Sequence, residues 1–204
     1  HLQSVFAQEP VTTEDIEEAR ELLSIVNTET QVLQQTCDHF LALNRPQQMN
    51  LQPASLNDLL AEVMLSMSVV ANEANITIVD NMETQLPLIE IDSTLIRQVV
   101  VNLIRNSIQS MPKGGRIFIH TGLQRAAAAS RVILEVGDTG VGIPKNIQER
   151  IFEAYFTTRE NEGGVGLGLA IAHQALTAHQ ARIEVQSQVG MGTTFKISFR
   201  IREK

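Results

Sequence analysis

Asn102 and Asn106 stand four residues apart in QVVVNLIRNSIQSM (98–111). On a helix that spacing puts both amides on one face. An Asn oxygen is a hard donor suited to magnesium, an ion that keeps several waters and shares phosphate oxygens. Further on, DTGVGIP (138–144) places Asp138 after a β-branched run and ahead of Gly140 and Gly142. A carboxylate there can accept a hydrogen bond from an exocyclic amine such as that of adenine. The two glycines permit positive φ and let the backbone come close to a flat ligand. In GGVGLGLAIA (163–172), Gly164, Gly166 and Gly168 run into a helix. Backbone N–H groups at a helix start form an anion site. Between the glycine boxes, RIFEAYFTT (150–158) and Arg159 supply Phe152, Tyr155, Phe156, Thr157, Thr158 and a guanidinium. A segment of that length between two ligand-contacting loops can be a lid, with Arg159 and Lys145 as phosphate contacts.

Each piece alone has an ordinary structural reading. Two Asn residues can hydrogen-bond locally, and Asp-x-Gly-x-Gly can be an Asx-type turn that ends a strand. The second glycine box can be a flexible loop capping a helix. Phe152 and Phe156 can simply anchor a short helix on the core. The box is not a Walker loop, because no Gly-Lys-Ser/Thr follows, and its spacing does not fit a dinucleotide fingerprint. Taken in order, the four segments describe a pocket for a nucleotide whose magnesium is held by Asn instead of a Walker lysine.

Composition sets the frame. At 204 residues the chain suits one or two domains, and 43% apolar with 19% charged residues is globular. A net charge of −7 disfavours a broad nucleic-acid face, though a local basic spot is compatible with it. The single cysteine, Cys37, excludes disulfide scaffolding within the chain and favours a reducing compartment. No apolar run approaches the roughly 20 residues of a membrane helix, and no signal peptide is visible. We therefore expect a cytoplasmic portion, with any membrane anchor or sensing part upstream of His1.

Residues 13–45 read as one long helix, N-capped by Thr12 or Thr13 and with Glu14, Asp15, Glu17 and Glu18 in its positive first turn. Ile16, Leu23, Thr30 and Cys37 form one heptad row, and Ala19, Val26, Leu33 and Phe40 the other. That stripe suits a helical bundle, and a homodimer through this helix is the economical way to bury it. Residues 1–8 read as the tail of a preceding antiparallel helix, stopped by Pro10. Pro46 and Pro53 bracket a linker. Ser55 caps a helix of roughly 56–73 with Leu56, Leu59, Leu60, Val63, Met67 and Val70 on one face. Strands are expected at 76–79, 116–122, 131–137, 182–188 and 193–201. Helices are expected from Asp92 or Ser93 to Met111, and from the second glycine box to about His179. Without repeating βαβ units, these elements predict an α+β fold, a two-layer α/β sandwich with an antiparallel-leaning sheet.

Order, spacing and flanks of these residues resemble the catalytic, ATP-binding domain of bacterial sensor histidine kinases, with the Bergerat ATP fold. The N box, first glycine box, F box and second glycine box are all present. The connectors DSTLIRQVVVNLIRNSIQSMPKGG and SQVGMGTTFKISF match as well. The resemblance covers residues 53–204 strongly, while residues 1–50 resemble more loosely a remnant of the dimerisation and phosphoacceptor domain, chiefly its second helix. It implies ATP and Mg2+ as cofactors, with Asn106 the magnesium ligand and Asn102 its neighbour near the phosphates. It implies that Asp138 binds the adenine amine and that Gly140 and Gly142 shape the adenine floor. Gly164, Gly166 and Gly168 would close on the phosphates, Phe152 and Phe156 would seat the lid, and Ile143, Thr158, Leu167 and Leu169 complete the nucleotide-binding set. Arg159 stands where relatives often carry a lysine, and the two do not present charge alike.

The family's phosphoacceptor motif is a His followed by Glu or Asp, with Pro a few residues on. None of His1, His39, His120, His173 and His179 fits it. The expectation is a chain whose acceptor lies upstream, which binds Mg-ATP but does not phosphorylate itself, and whose partner is a response-regulator receiver domain. Other readings of the same fold are an ATP-hydrolysing dimer clamp, a serine kinase of the anti-sigma type and an ATP-binding docking module. Clamp ATPases carry Glu where this chain has Asn102, and an amide cannot take a proton from water.

Overall fold

The computed structural model describes residues 15–23, 26, 49–125, 130–159 and 165–201. The chain divides into two units, His1–Pro46 with Arg159–Gly163, and Gln47–Thr158 with Gly164–Lys204. In the first unit, residues 15–23 are helical. Of the predicted stripe, Ala19 is buried, whereas Ile16, Leu23 and Val26 are exposed. The capping threonines, Thr30, Leu33, Cys37, His39 and Phe40 lie outside the described residues, as does most of the expected long helix.

In the second unit, the described elements in chain order are β1 (Gln52–Ala54), α1 (Leu56–Glu73), β2 (Ile76–Met82), β3 (Ile89–Ile91), α2 (Ser93–Gln109), β4 (Gly115–Gln124) and β5 (Arg131–Asp138). A 3-10 turn (Lys145–Ile147), α3 (Gly168–Ala178), β6 (Arg182–Gln188) and β7 (Gly192–Arg200) follow. Five strands form one mixed sheet in the order β2-β4-β5-β7-β6. Only β2 and β4 pair in parallel; the other neighbours are antiparallel. The parallel pair requires a crossover, and α2 lies within it. β1 and β3 make a separate antiparallel pair. Pro53 sits in that pair, and proline is tolerated in a short strand with a free edge. Both strands are three residues long, too short for alternation to announce them.

The helices form one layer over one face of the sheet. Ser55 caps α1, its hydroxyl accepting from the Asp58 N–H at 3.2 Å. The buried stripe of α1 is Leu56, Leu59, Leu60, Val63, Met67 and Ala71. The expected Val70 is exposed, because the 3.6-residue turn carries the stripe from Met67 to Ala71. Opposite them, β4 turns Ile117, Ile119 and Thr121 inward, and β7 turns Phe195, Ile197 and Phe199 inward. On β5 the inward positions are Val132, Leu134, Val136 and then Asp138. The strand's two-residue period thus delivers a carboxylate to the helix side at its last residue. None of the described helices is long and apolar enough to cross a membrane.

Two clamps hold α3 along α2. At one end the Asn102 amide nitrogen donates to the Gly168 carbonyl at 3.1 Å. At the other, the Asp92 backbone N–H donates to His179 Nε2 at 2.9 Å, while Nδ1 lies 2.6 Å from the Ala175 carbonyl. Asp92 also caps α2 through Oδ1, accepting from the N–H groups of Thr94 and Leu95. His179→Ala should leave that N–H without its partner and lower stability by about 1–2 kcal/mol, read as a shift in the urea midpoint at unchanged m-value.

Candidate functional site

The site is built along α2. Its apolar face, Leu95, Ile96, Val99, Val100, Leu103 and Ile104, is buried against the sheet. This orientation leaves Asn102 and Asn106 half-buried at the border of that face. The Asn102 amide is spoken for by Gly168, which opens α3, so the first turn of α3 stands beside it. That turn has no side-chain cap, and its free N–H groups present positive potential there. The Asn106 side chain makes no hydrogen bond to another described residue, which leaves its oxygen available as a ligand.

Asp138 forms the other end. It is 8% exposed, and its carboxylate is held from three sides. Oδ1 accepts from the Gly140 N–H at 2.9 Å and the Thr193 N–H at 3.2 Å. Oδ2 accepts from Ser107 Oγ at 3.1 Å. Ser107 lies five residues beyond Asn102, about 7.5 Å along the helix axis at 1.5 Å per residue. One helix therefore holds both ends of the site. Ser107, Ser110 and Thr193 were not among the residues singled out from the sequence. Ser107 carried a signal, since it is a polar residue at a buried position of an apolar stripe.

The first glycine box is packed against protein. A Cβ on Gly140 would fall 2.0 Å from Ser110 Oγ, which itself donates to the Ser107 carbonyl at 2.8 Å. A Cβ on Gly142 would fall 2.1 Å from the Gln188 carbonyl at the end of β6, and Gly142 has φ +72°. Gly140 has no positive φ. Its glycine is required by close approach to α2, in addition to any demand of a ligand. Gly140→Ala should destabilise the domain by about 1–3 kcal/mol through overpacking. Adding Ser110→Gly should recover most of that loss in thermal melts. Ile143 is half-buried, its N–H donating to Ser187 Oγ at 2.7 Å.

The segment between the boxes is irregular after the 3-10 turn. Phe152 and Phe156 pack against the core. The Phe152 ring lies 5.2 Å from His173 of α3 and 6.4 Å from Phe195 of β7. The Arg150 guanidinium sits 4.4 Å over the Phe156 ring. Tyr155 has φ +67°, an uncommon conformation for a bulky residue, and its N–H donates to the Gly166 carbonyl at 2.9 Å. The F segment and the second glycine box are thus joined back to back. Leu167 is buried and Leu169 packs on the core, whereas Thr158 is exposed. Gly164 lies outside the described residues, and Arg159 groups with the other unit.

Among the described residues no group of three or more His, Cys, Asp or Glu side chains is placed to hold a metal. A lone amide oxygen suits magnesium only when waters and phosphate oxygens complete the shell. The donor set therefore fits a cation that arrives with a nucleotide and does not fit a resident metal.

A mixed sheet under a helical layer, with an Asn helix and a strand-end carboxylate meeting two glycine boxes, defines a Bergerat-type nucleotide-binding domain. The chain belongs to the histidine kinase-, DNA gyrase B-, and HSP90-like ATPase family, whose model matches residues 91–203. It is 31% identical over 178 residues to the signal transduction histidine-protein kinase AtoS of Escherichia coli K12, covering 87% of this chain and 28% of that protein. The structure of full-length ShkA in complex with AMPPNP superposes with a TM-score of 0.77 at 25% identity, over 94% of this chain and 40% of ShkA. The catalytic domain of histidine kinase ThkA superposes with a TM-score of 0.64 at 27% identity, over 74% of this chain and 96% of that domain. The chain therefore carries the ATP-binding catalytic portion of a histidine kinase and spans about a quarter of AtoS.

Proposed function

We propose that this domain binds Mg-ATP and transfers the γ-phosphoryl group to a histidine on an acceptor helix, a histidine that is none of the five in the sequence given. A ring nitrogen of the acceptor imidazole attacks the γ-phosphorus as the bond to the β–γ bridging oxygen breaks, and ADP leaves. Imidazole is already a good nucleophile, so the protein need only position the groups and stabilise charge. In this reading Asp138 accepts the adenine amine, Asn106 ligates magnesium, and the first turn of α3 with Gly166 and Gly168 faces the phosphates. The magnesium ion would neutralise charge on the phosphate oxygens. Gly164 and Arg159 complete the phosphate end on the strength of the sequence.

The observation that carries the reading is Asn102. A general base would have to stand at that place to activate water, but the residue is an amide tied to the Gly168 carbonyl. Family members that hydrolyse ATP and members that phosphorylate histidine share the pocket, and this amide favours the second. The exposed apolar side chains Ile16, Leu23 and Val26 support a homodimer through the N-terminal helix. A response-regulator receiver domain is the proposed downstream partner and the cytoplasm the proposed compartment.

The test mixes the protein with Mg2+, γ-labelled ATP and a separately supplied acceptor-helix protein. Label on that protein's histidine is the expected result. Rapid release of free phosphate without acceptor would overturn the kinase reading in favour of a clamp ATPase.

A further inference from the structure

Ser107 is 1% exposed on the core-facing stripe of α2. A hydroxyl in mid-helix ordinarily bonds back to a carbonyl three or four residues earlier. Ser66, Ser68, Ser110 and Thr177 all do so in this molecule. Ser107 does not. Its hydroxyl crosses from the helix to the sheet and donates to Asp138 Oδ2 at 3.1 Å.

The consequence lies in the acceptor count of the carboxylate. An ionised carboxylate offers about four lone-pair directions. Two on Oδ1 are taken by the Gly140 and Thr193 N–H groups, and one on Oδ2 by Ser107. One direction on Oδ2 remains. We infer that Ser107 is a positioning residue that makes Asp138 a reader of a single amine, selecting a 6-amino purine over one without that amine. The inference rests on the ATP reading of the site and concerns how the base is chosen within it.

Without the hydroxyl, Oδ2 has two open directions. The carboxylate torsion, which is intrinsically broad, loses its only tether on that side. An amine then meets an acceptor that is neither aimed nor rationed. Ser107 also follows Asn106 directly, so one helical turn carries both the base-reading tether and the proposed metal ligand. Ser110 extends the tie: its hydroxyl donates to the Ser107 carbonyl, and its own carbonyl accepts from the Val141 N–H at 3.2 Å. The end of α2 and the first glycine box are therefore tied to each other through Ser110.

The experiment compares calorimetric affinities for ATP and for purine riboside triphosphate, which lacks only the 6-amine. The proteins are the unmodified chain, Ser107→Ala and Ser107→Cys. Cysteine keeps the volume and supplies only a weak donor. The unmodified chain should prefer ATP. Both variants should lose about five- to tenfold in ATP affinity, the worth of about one hydrogen bond, and change by less than about twofold for the analogue. In an Asp138→Asn background, Ser107→Ala should remove no further preference, as coupled residues require. A parallel loss for both nucleotides would mark a packing role only and overturn the inference, as would preference retained in the cysteine variant. Failure of the unmodified chain to bind ATP would overturn the nucleotide reading itself, and this inference with it.

Discussion

Asn106→Ala is expected to slow phosphoryl transfer to a supplied acceptor by about a hundred- to a thousandfold, the usual scale for removing one preorganised electrostatic contact to a transferring group. The expectation follows from how little else could replace it. Asn106 is half-buried, and its side chain has no hydrogen bond among the described residues. No group of three or more acidic, His or Cys side chains stands ready among those residues to take over the cation. The same isolation predicts a small effect on folding, since removing the amide breaks no internal bond. Label transfer at saturating Mg-ATP, set beside a thermal melt, separates the two. Unimpaired transfer by the variant would remove Asn106 from the metal site.

Asp138→Asn is expected to weaken ATP binding about tenfold to a hundredfold, from the loss of a charged hydrogen bond worth about 1.5–3 kcal/mol. The amide can keep its oxygen toward the Gly140 and Thr193 N–H groups only by turning its NH2 to the Oδ2 side. There it presents a donor to the incoming amine, and donor faces donor. Calorimetry with ATP reads the change, and unchanged affinity would refute the adenine role. Asp138→Ala should do more damage to the fold, because it strands two buried N–H groups, each costing about 1–3 kcal/mol.

Much of the architecture was legible because it is local. Ser55 and Asp92 are cap residues ahead of apolar stripes, and both cap. The richness of residues 131–137 in β-branched side chains foretold β5, whereas the side on which each of them lies came only from the packed sheet. The stripe of α1 was drawn one residue short at its end, with Val70 in place of Ala71, because the exact phase of a helix is set by packing. β1 and β3 were missed because three residues carry no period. The parallel pairing of β2 with β4 was missed because pairing partners are chosen by the whole sheet.

The site divides in the same way. Residue types and their order pointed by themselves to an ATP-binding catalytic domain, with two amides on one helix face and a carboxylate at a strand end, since ligand chemistry resides in side-chain atoms and period-based geometry assigns them to faces. Tertiary structure alone decided what those groups do to one another. It brought Ser107 and Thr193 to Asp138 across 31 and 55 residues of chain. It pinned Asn102 to Gly168 across 66. It revealed that Gly140 is small because α2 presses on it. Sequence spacing encodes which face a residue occupies on its own element, but the number of acceptor directions left on a carboxylate depends on which distant donors the packed layers deliver to it.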